Sequence, residues 1–250
     1  MERLYGLHAV RTLLQRTPQR VLRVYLQQGR ADARAAEIEA LARSAGRPVE
    51  RAEAARLRGW VGDVAHQGVV AEITPLRALS EDDLHALLAA TPDPLVLALD
   101  GVQDPHNLGA CLRTADACGV LAVVVPRDRA ATLTASARKV AAGAAESTPV
   151  VTVTNLARSL RLLKEAGLWI VGADALAPQP AAAVDLKGAR CLVMGAEGAG
   201  LRELTRRSCD WLVSLPQLGT VESLNVSVAT GMLLYEALRQ RAPGRPSEPA

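Results

Sequence analysis

Apolar residues fall along the chain in two textures. Up to about residue 73 they are sparse and periodic. After GLHAV the stretch to Leu14 has helical spacing, VLRVYL (21–26) alternates like a strand, AAEIEALARSAG (35–46) reads as a helix stopped at Gly46, and GVVAEI (68–73) reads as another strand. This predicts a small α/β unit. From Leu95 onward, near-continuous apolar runs replace the alternation: LVLALD, VLAVVV (120–125), VVTV (150–153), LWIVGA, CLVMG (191–195) and WLVSLP (211–216), separated by helical patterns. Strands without polar alternation are buried on both faces, so the fold class expected is α/β, a mostly parallel sheet covered by helices. A final apolar helix is expected over about 223–241, and APGRPSEPA is expected to be disordered.

Between the two textures lie Pro75, Pro92 and Pro94 and a short acidic helix with Ser80 as its N-cap, which is the composition of a linker. The division predicted is a first domain over 1–75, a linker over 76–94, a second domain over 95–241 and a tail over 242–250. No internal repeat is visible.

Composition narrows the core and its partners. The chain has 250 residues, 49% hydrophobic and 22% charged, enough to bury a core without disulfides or metal. It has no Phe, and its three Trp and three Tyr (Tyr5, Tyr25, Trp60, Trp169, Trp211, Tyr235) are scattered singly in sequence. The core must be aliphatic, and RNA-binding folds that stack bases on clustered aromatics are excluded. Of the 29 basic residues only Lys139, Lys164 and Lys187 are lysines, leaving 26 arginines. Guanidinium groups grip phosphates bidentately and lie flat on bases, so arginine can replace aromatics in an RNA site; a GC-rich genome accounts for the same bias. Residues 1–75 hold 12 Arg against 8 acids, whereas residues 76–250 hold 17 basic against 18 acidic residues, so the surplus is N-terminal. Cys111, Cys118, Cys191 and Cys209 form no CxxC pair and the four histidines lie far apart, so no metal site is expected. Free thiols, no basic-then-apolar leader and no run of membrane-spanning length point to a cytoplasmic protein without a membrane partner.

Three loops follow predicted strands, where open α/β sheets place ligands. In DGVQDPHNLGACLRTADACG (100–119), Asp104-Pro105 makes a turn, Asn107 reads as an N-cap and Arg113 lies six residues further into the helix. In MGAEGAGL (194–201), Gly195, Gly198 and Gly200 let backbone approach a ligand and Glu197 is the only charge. The spacing is GxxGxG, neither the dinucleotide fingerprint GxGxxG nor a P-loop, which disfavours a nicotinamide-dependent enzyme. In SLPQLGTVESLNVSVATGMLLYEAL (214–238), Pro216 and Gly219 bend the loop, and Ser223, Asn225 and Ser227 are small polar groups at the start of an apolar helix. Taken singly, Asn107 reads as a simple cap, Arg113 as a solvated charge, and two of Ser223, Asn225 and Ser227 as ordinary caps. Together the loops offer neutral polarity suited to an adenosine-like ligand and no lysine for a triphosphate.

In this order and spacing, the three segments resemble the signature motifs of the SpoU (TrmH) family of RNA ribose 2'-O-methyltransferases, in the SPOUT superfamily. The opening RLYGLHAVRTLL is similar to the substrate-binding domain, related to ribosomal protein L30e, of the branch that methylates a guanosine ribose in the peptidyl-transferase region of 23S ribosomal RNA. The resemblance spans about residues 1–240. It implies a SPOUT-type parallel sheet tied into a C-terminal trefoil knot, an exception to the usual absence of knots, preceded by a small L30e-like α/β domain. It implies S-adenosylmethionine as methyl donor with no metal, held at Gly195, Leu215 and Leu224 and their neighbours Ala196, Gly200 and Pro216. It also implies a homodimer formed in part by the C-terminal helix. Arg113 inherits the activating role, and Asn107, Glu197, Ser223 and Asn225 position RNA and arginine. His106 is a rival base by its chemistry, although the family motif reads Asp-Pro-any-Asn and leaves that position variable. His8 belongs with the N-terminal unit, facing RNA or capping a helix. Transfer RNA as substrate, or RNA binding without catalysis, are the alternatives.

Overall fold

A computed structural model describes residues 2–74, 79–221 and 223–242. Residues 75–78 of the expected linker region and 243–250 of the expected tail lie outside the described residues. The first sheet is built from β1 (Glu2–Tyr5), α1 (Leu7–Arg16), β2 (Val21–Gln27), α2 (Ala33–Ser44), β3 (Val49–Ala52), α3 (Ala54–Val61) and β4 (Val69–Ile73). Its strand order is β1-β4-β2-β3, with β4 antiparallel to both neighbours and β2 parallel to β3. The 3–4 spacing on α1 buries Leu7, Val10, Leu13 and Leu14 against Val21, Val24, Leu26 and Ile73. Asp32 starts α2 by accepting from the backbone N–H groups of Arg34 and Ala35. The alternation predicted for residues 21–26 gives way after Arg23, because Tyr25 is buried on the opposite face by Leu57, Val70 and Ala52.

The second sheet follows α4 (Glu81–Ala89). Its elements are β5 (Leu95–Asp100), α5 (Pro105–Ala117), β6 (Ala122–Pro126), α6 (Ala135–Ala141), α7 (Ala144–Ser147), β7 (Val150–Val153), α8 (Leu156–Glu165), β8 (Trp169–Ala173), β9 (Arg190–Gly195), α9 (Glu203–Ser208), β10 (Trp211–Val213) and α10 (Val226–Arg241). All six strands are parallel, in the order β10-β8-β9-β5-β6-β7, as the apolar runs predicted. On β5, Leu95, Leu97 and Leu99 face one helical layer with α5, α6 and α10; Val96 and Ala98 face the other, with α4 and α8. Each fully buried leucine in these layers contributes about 1.5–3 kcal/mol. Ser80 caps α4 in a reciprocal capping box with Asp83, and Leu84 and Leu88 bury the helix against the sheet.

The two sheets are joined by charge and close packing. Glu146 on α7, its side chain 1% exposed, is held at 2.5 Å by Arg20 and also by Arg138, which in turn reaches Glu2 at 3.3 Å. Gly143 opens α7 with its backbone against Thr12 of α1, where a Cβ would stand 2.5 Å from the hydroxyl oxygen. The singly scattered rings are brought together: Tyr25 and Trp60 at 4.5 Å between centroids, Trp169 and Trp211 at 4.8 Å. The first pair is roofed by arginine, with Arg3 at 4.7 Å and Arg56 at 4.8 Å from the Trp60 ring.

Candidate active site

Parallel strands end on one side of a sheet, so the loops after β5, β8, β9 and β10 share an edge. After β9 the chain turns back at once: Ala196 and Gly200 exchange backbone hydrogen bonds of 3.1 and 2.9 Å. Gly195 is required there, since a Cβ would collide with the Gly200 backbone, and Gly198 and Gly200 have φ of +74° and +66°. The far end of this hairpin is bolted to β5. Asp100, completely buried, accepts from the Arg202 backbone N–H at 2.9 Å and from its Nε at 2.5 Å.

Beside the hairpin lies a cavity of about 290 Å³ lined by Gly195, Ala196, Glu197, Gly200, Leu215, Ser223 and Leu224 among the residues the sequence singled out. Pro216 does not line it; it is exposed in the loop between Leu215 and Gln217, both of which do. Sequence reasoning missed the wall made by Ala173, Asp174, Ala175 and Leu176, although the rule that ligands sit after parallel strands also applies to β8. It also missed Gln217, which lines the cavity and whose Oε1 is buried without a hydrogen-bond partner among the described residues.

At the rim, Asn107 of the first loop and Glu197 of the second meet Asn225 of the third. Asn225 caps α10, its Oδ1 accepting from Ser227 N at 2.9 Å and Ser227 Oγ at 2.6 Å. That assigns the amide, leaving Nδ2 to donate to Asn107 Oδ1 at 3.0 Å and Glu197 Oε2 at 3.4 Å. The N-cap expected at Asn107 is a correction: Asp104 caps α5, accepting from His106 N at 2.9 Å. Pro105 has no N–H to satisfy and fits the first helical position. Asn107 therefore sits in the first turn, with its side chain free to join α5 to α10.

Arg113 is not tied to this cluster. It is exposed, with no side-chain hydrogen bond or ion pair among the described residues. Seven positions from His106, nearly two turns, it shares a helix face with that residue rather than with Asn107. His106 Nε2 stands 3.1 Å from Ser136 Oγ on α6. His8, on α1, is exposed. Behind the rim, Cys111 donates to Thr230 Oγ1 at 3.5 Å, and burial pushes its thiol up to about 11, so it is no nucleophile at neutral pH.

The SpoU rRNA Methylase family model matches residues 94–235, more than half of the chain. The chain belongs to this family. A second model, RNA 2'-O ribose methyltransferase substrate binding, matches residues 3–79. The SpoU family member is 54% identical over 242 residues to the 23S rRNA (guanosine-2'-O-)-methyltransferase RlmB of Pseudomonas putida, covering 96% of this chain and 97% of the relative. With the protein of the same name from Escherichia coli the identity is 50% over 241 residues, 96% of this chain and 99% of the relative. Among solved structures, the SpoU methyltransferase AviRb from Streptomyces viridochromogenes in complex with the cofactor AdoMet superposes with a TM-score of 0.80 at 26% identity, over 97% of this chain and 91% of that one.

Proposed function

We propose that this chain transfers a methyl group from S-adenosylmethionine to the ribose 2'-hydroxyl of a guanosine in 23S ribosomal RNA. The observation that carries the reading is the Asn107–Asn225–Glu197 cluster at the rim of a glycine-walled cavity, in a chain half identical to enzymes named for that reaction. The cavity suits the cofactor on its own chemistry. It is largely apolar, its wall is the tight hairpin that Gly195 permits, and Gln217 Oε1 is a buried acceptor, without a partner among the described residues, that suits a donor such as an exocyclic amine. Gly195, Ala196, Gly200, Leu215 and Leu224 would hold the cofactor, with Pro216 shaping the loop beside them. When bound, S-adenosylmethionine supplies an electrophilic methyl group on its sulfonium.

The chain's own residues supply position and charge. A ribose hydroxyl is a poor nucleophile at neutral pH and needs help with its proton as well as in-line placement. Asn107, Glu197, Ser223 and Asn225 orient the ribose. Arg113, permanently charged and without a side-chain partner among the described residues, stabilises the developing alkoxide and orients the adjacent phosphate. Guanidinium is a poor base, so the proton goes to a substrate phosphate.

Residues 1–75 bind RNA through their arginine surplus, and 95–241 carry catalysis. A trefoil knot in this part of the chain is supported by two features: after β9 the chain crosses β8 to add β10 at the sheet edge, and the end of α10 is gripped by the β8–β9 loop through Gln240 with Leu186 and Val184, and Arg241 with Leu186. The protein works as a homodimer through the exposed face of α10, in the cytoplasm, where ribosomal RNA is assembled. No helix among the described residues is long and apolar enough to cross a membrane.

Mapping ribose methylation on ribosomal and transfer RNA from a deletion strain, with and without the gene restored, tests the substrate. A lost mark in 23S RNA is expected; a lost mark only in transfer RNA would replace the substrate. Calorimetry with S-adenosylmethionine and with NAD tests the cofactor, and a protein binding neither would end the enzyme reading.

A further inference from the structure

A second cleft, of about 130 Å³, opens where the edge strand β1 meets α6. Glu2, Arg3 and Tyr5 line it from the first sheet, Ala135, Arg138 and Lys139 from α6, and the one carboxylate among them, Glu2, is paired with Arg138. Its cations are not equivalent. Arg138 is committed to Glu146 and Glu2, and Arg3 lies over Trp60 and reaches Glu72 at 3.4 Å. Lys139 is exposed and has no side-chain hydrogen bond or ion pair among the described residues. Tyr5 is half-buried, packed by one side onto the cluster of Tyr25, Leu57 and Val70. The cleft thus pairs an aromatic ring with an uncompensated ammonium, which suits a base and its phosphate.

Its position relates it to the rim cluster. Cleft and rim share α6: Ala135 and Lys139 line the cleft, and Ser136 contacts His106, the residue before Asn107. The helix has seven residues and is about 10 Å long. We propose that this interdomain cleft binds one unpaired nucleotide of the RNA substrate, its base against Tyr5 and its phosphate on Lys139, one or two nucleotides from the ribose that is methylated. The proposal rests on the reading of the chain as an RNA ribose methyltransferase. It assigns the junction of the two sheets, rather than either sheet alone, to reading the strand beside the target.

The test uses the full-length protein and unmodified 23S RNA from the deletion strain. Lys139→Ala and Tyr5→Leu should each raise the KM for RNA about tenfold, within the range that one stacked base or phosphate contact supports. The rate at saturating RNA and the calorimetric Kd for S-adenosylmethionine should stay as in the wild type. Lys139→Ala should also flatten the salt dependence of RNA binding by about 0.7 in log–log slope. Tyr5→Phe should restore binding, which separates lost stacking from lost folding, and Lys187→Ala controls for charge alone. RNA containing 4-thiouridine should crosslink to the peptide bearing Tyr5. Wild-type RNA affinity in both variants, or crosslinks only elsewhere, would overturn the cleft while leaving the methyltransferase reading intact. If the wild type transfers no methyl to any RNA, that reading fails instead, and filter binding of the same variants still decides the cleft.

Discussion

Arg3, Arg20, Arg138 and Arg202 all hold carboxylates, whereas Arg113 holds none among the described residues and keeps its full charge for a ligand. If it stabilises the developing alkoxide as proposed, Arg113→Ala should lower methyl transfer by about 100- to 1000-fold, the usual cost of losing one preorganised electrostatic contact. The Kd for S-adenosylmethionine should be unchanged by calorimetry, and Arg113→Lys should recover part of the rate as a point charge without the fork. Activity within a few fold of wild type in Arg113→Ala would remove the role. At this scale the sequence was legible where a residue's neighbours in the chain decide its setting. Asn225 at the head of an apolar helix is such a case. It was misleading at Asn107, because Asp104 and Pro105, three and two residues earlier, begin the helix first. It was silent on Asp100, which reads as the polar end of a strand and becomes a buried anchor only through Arg202, 102 residues away. The pairing of Tyr25 with Trp60 was hidden for the same reason.

The strands of the second sheet were readable because burial on both faces writes an uninterrupted apolar run, and length and flanking turns then separate strand from helix. β1, β3 and α3 were not: ERLY and VERA are four residues each with charges inside them, and AARLRGWV buries only Leu57. The glycine hairpin after β9 was recognisable by composition, but what holds it was not. Since Asp100 grips Arg202 directly after the hairpin, this pair sets the cavity wall. Asp100→Asn keeps the shape and removes the charge. Breaking a buried pair costs roughly 3–5 kcal/mol, and with Arg202 side chain 45% exposed the loss here should be smaller, about 1–3 kcal/mol. Thermal denaturation should register that loss, and calorimetry should show S-adenosylmethionine binding weakened at least tenfold. A destabilised variant with wild-type cofactor affinity would mean that the pair supports the fold and not the cavity.

At the scale of the whole molecule, α10 has apolar residues on more of its surface than this chain covers. Val226, Leu233, Leu234 and Ala237 are buried against the sheet and α5. On other positions Val228, Met232, Tyr235 and Leu238 are 52%, 42%, 66% and 42% exposed, at spacings of four, three and three residues, which makes one continuous helical face. No periodicity argument assigns a partner to such a face; only the family resemblance supplied the expectation of a second copy. A twofold contact centred on it would be isologous, with each copy's stripe against the other's, and a stable pair would cover on the order of 800 Å² per subunit. Because the head of the same helix is Asn225, rigid coupling of two α10 helices would also steady the rim cluster. The wild type should therefore run as a dimer at micromolar concentration in light scattering. Met232→Glu with Tyr235→Glu, which buries two carboxylates on each side of the contact, should give folded monomers with a native circular dichroism spectrum. Methyl transfer should fall more steeply than S-adenosylmethionine affinity. A wild type that is monomeric throughout, or a doubly substituted chain that stays dimeric, would place any contact between copies somewhere other than this face.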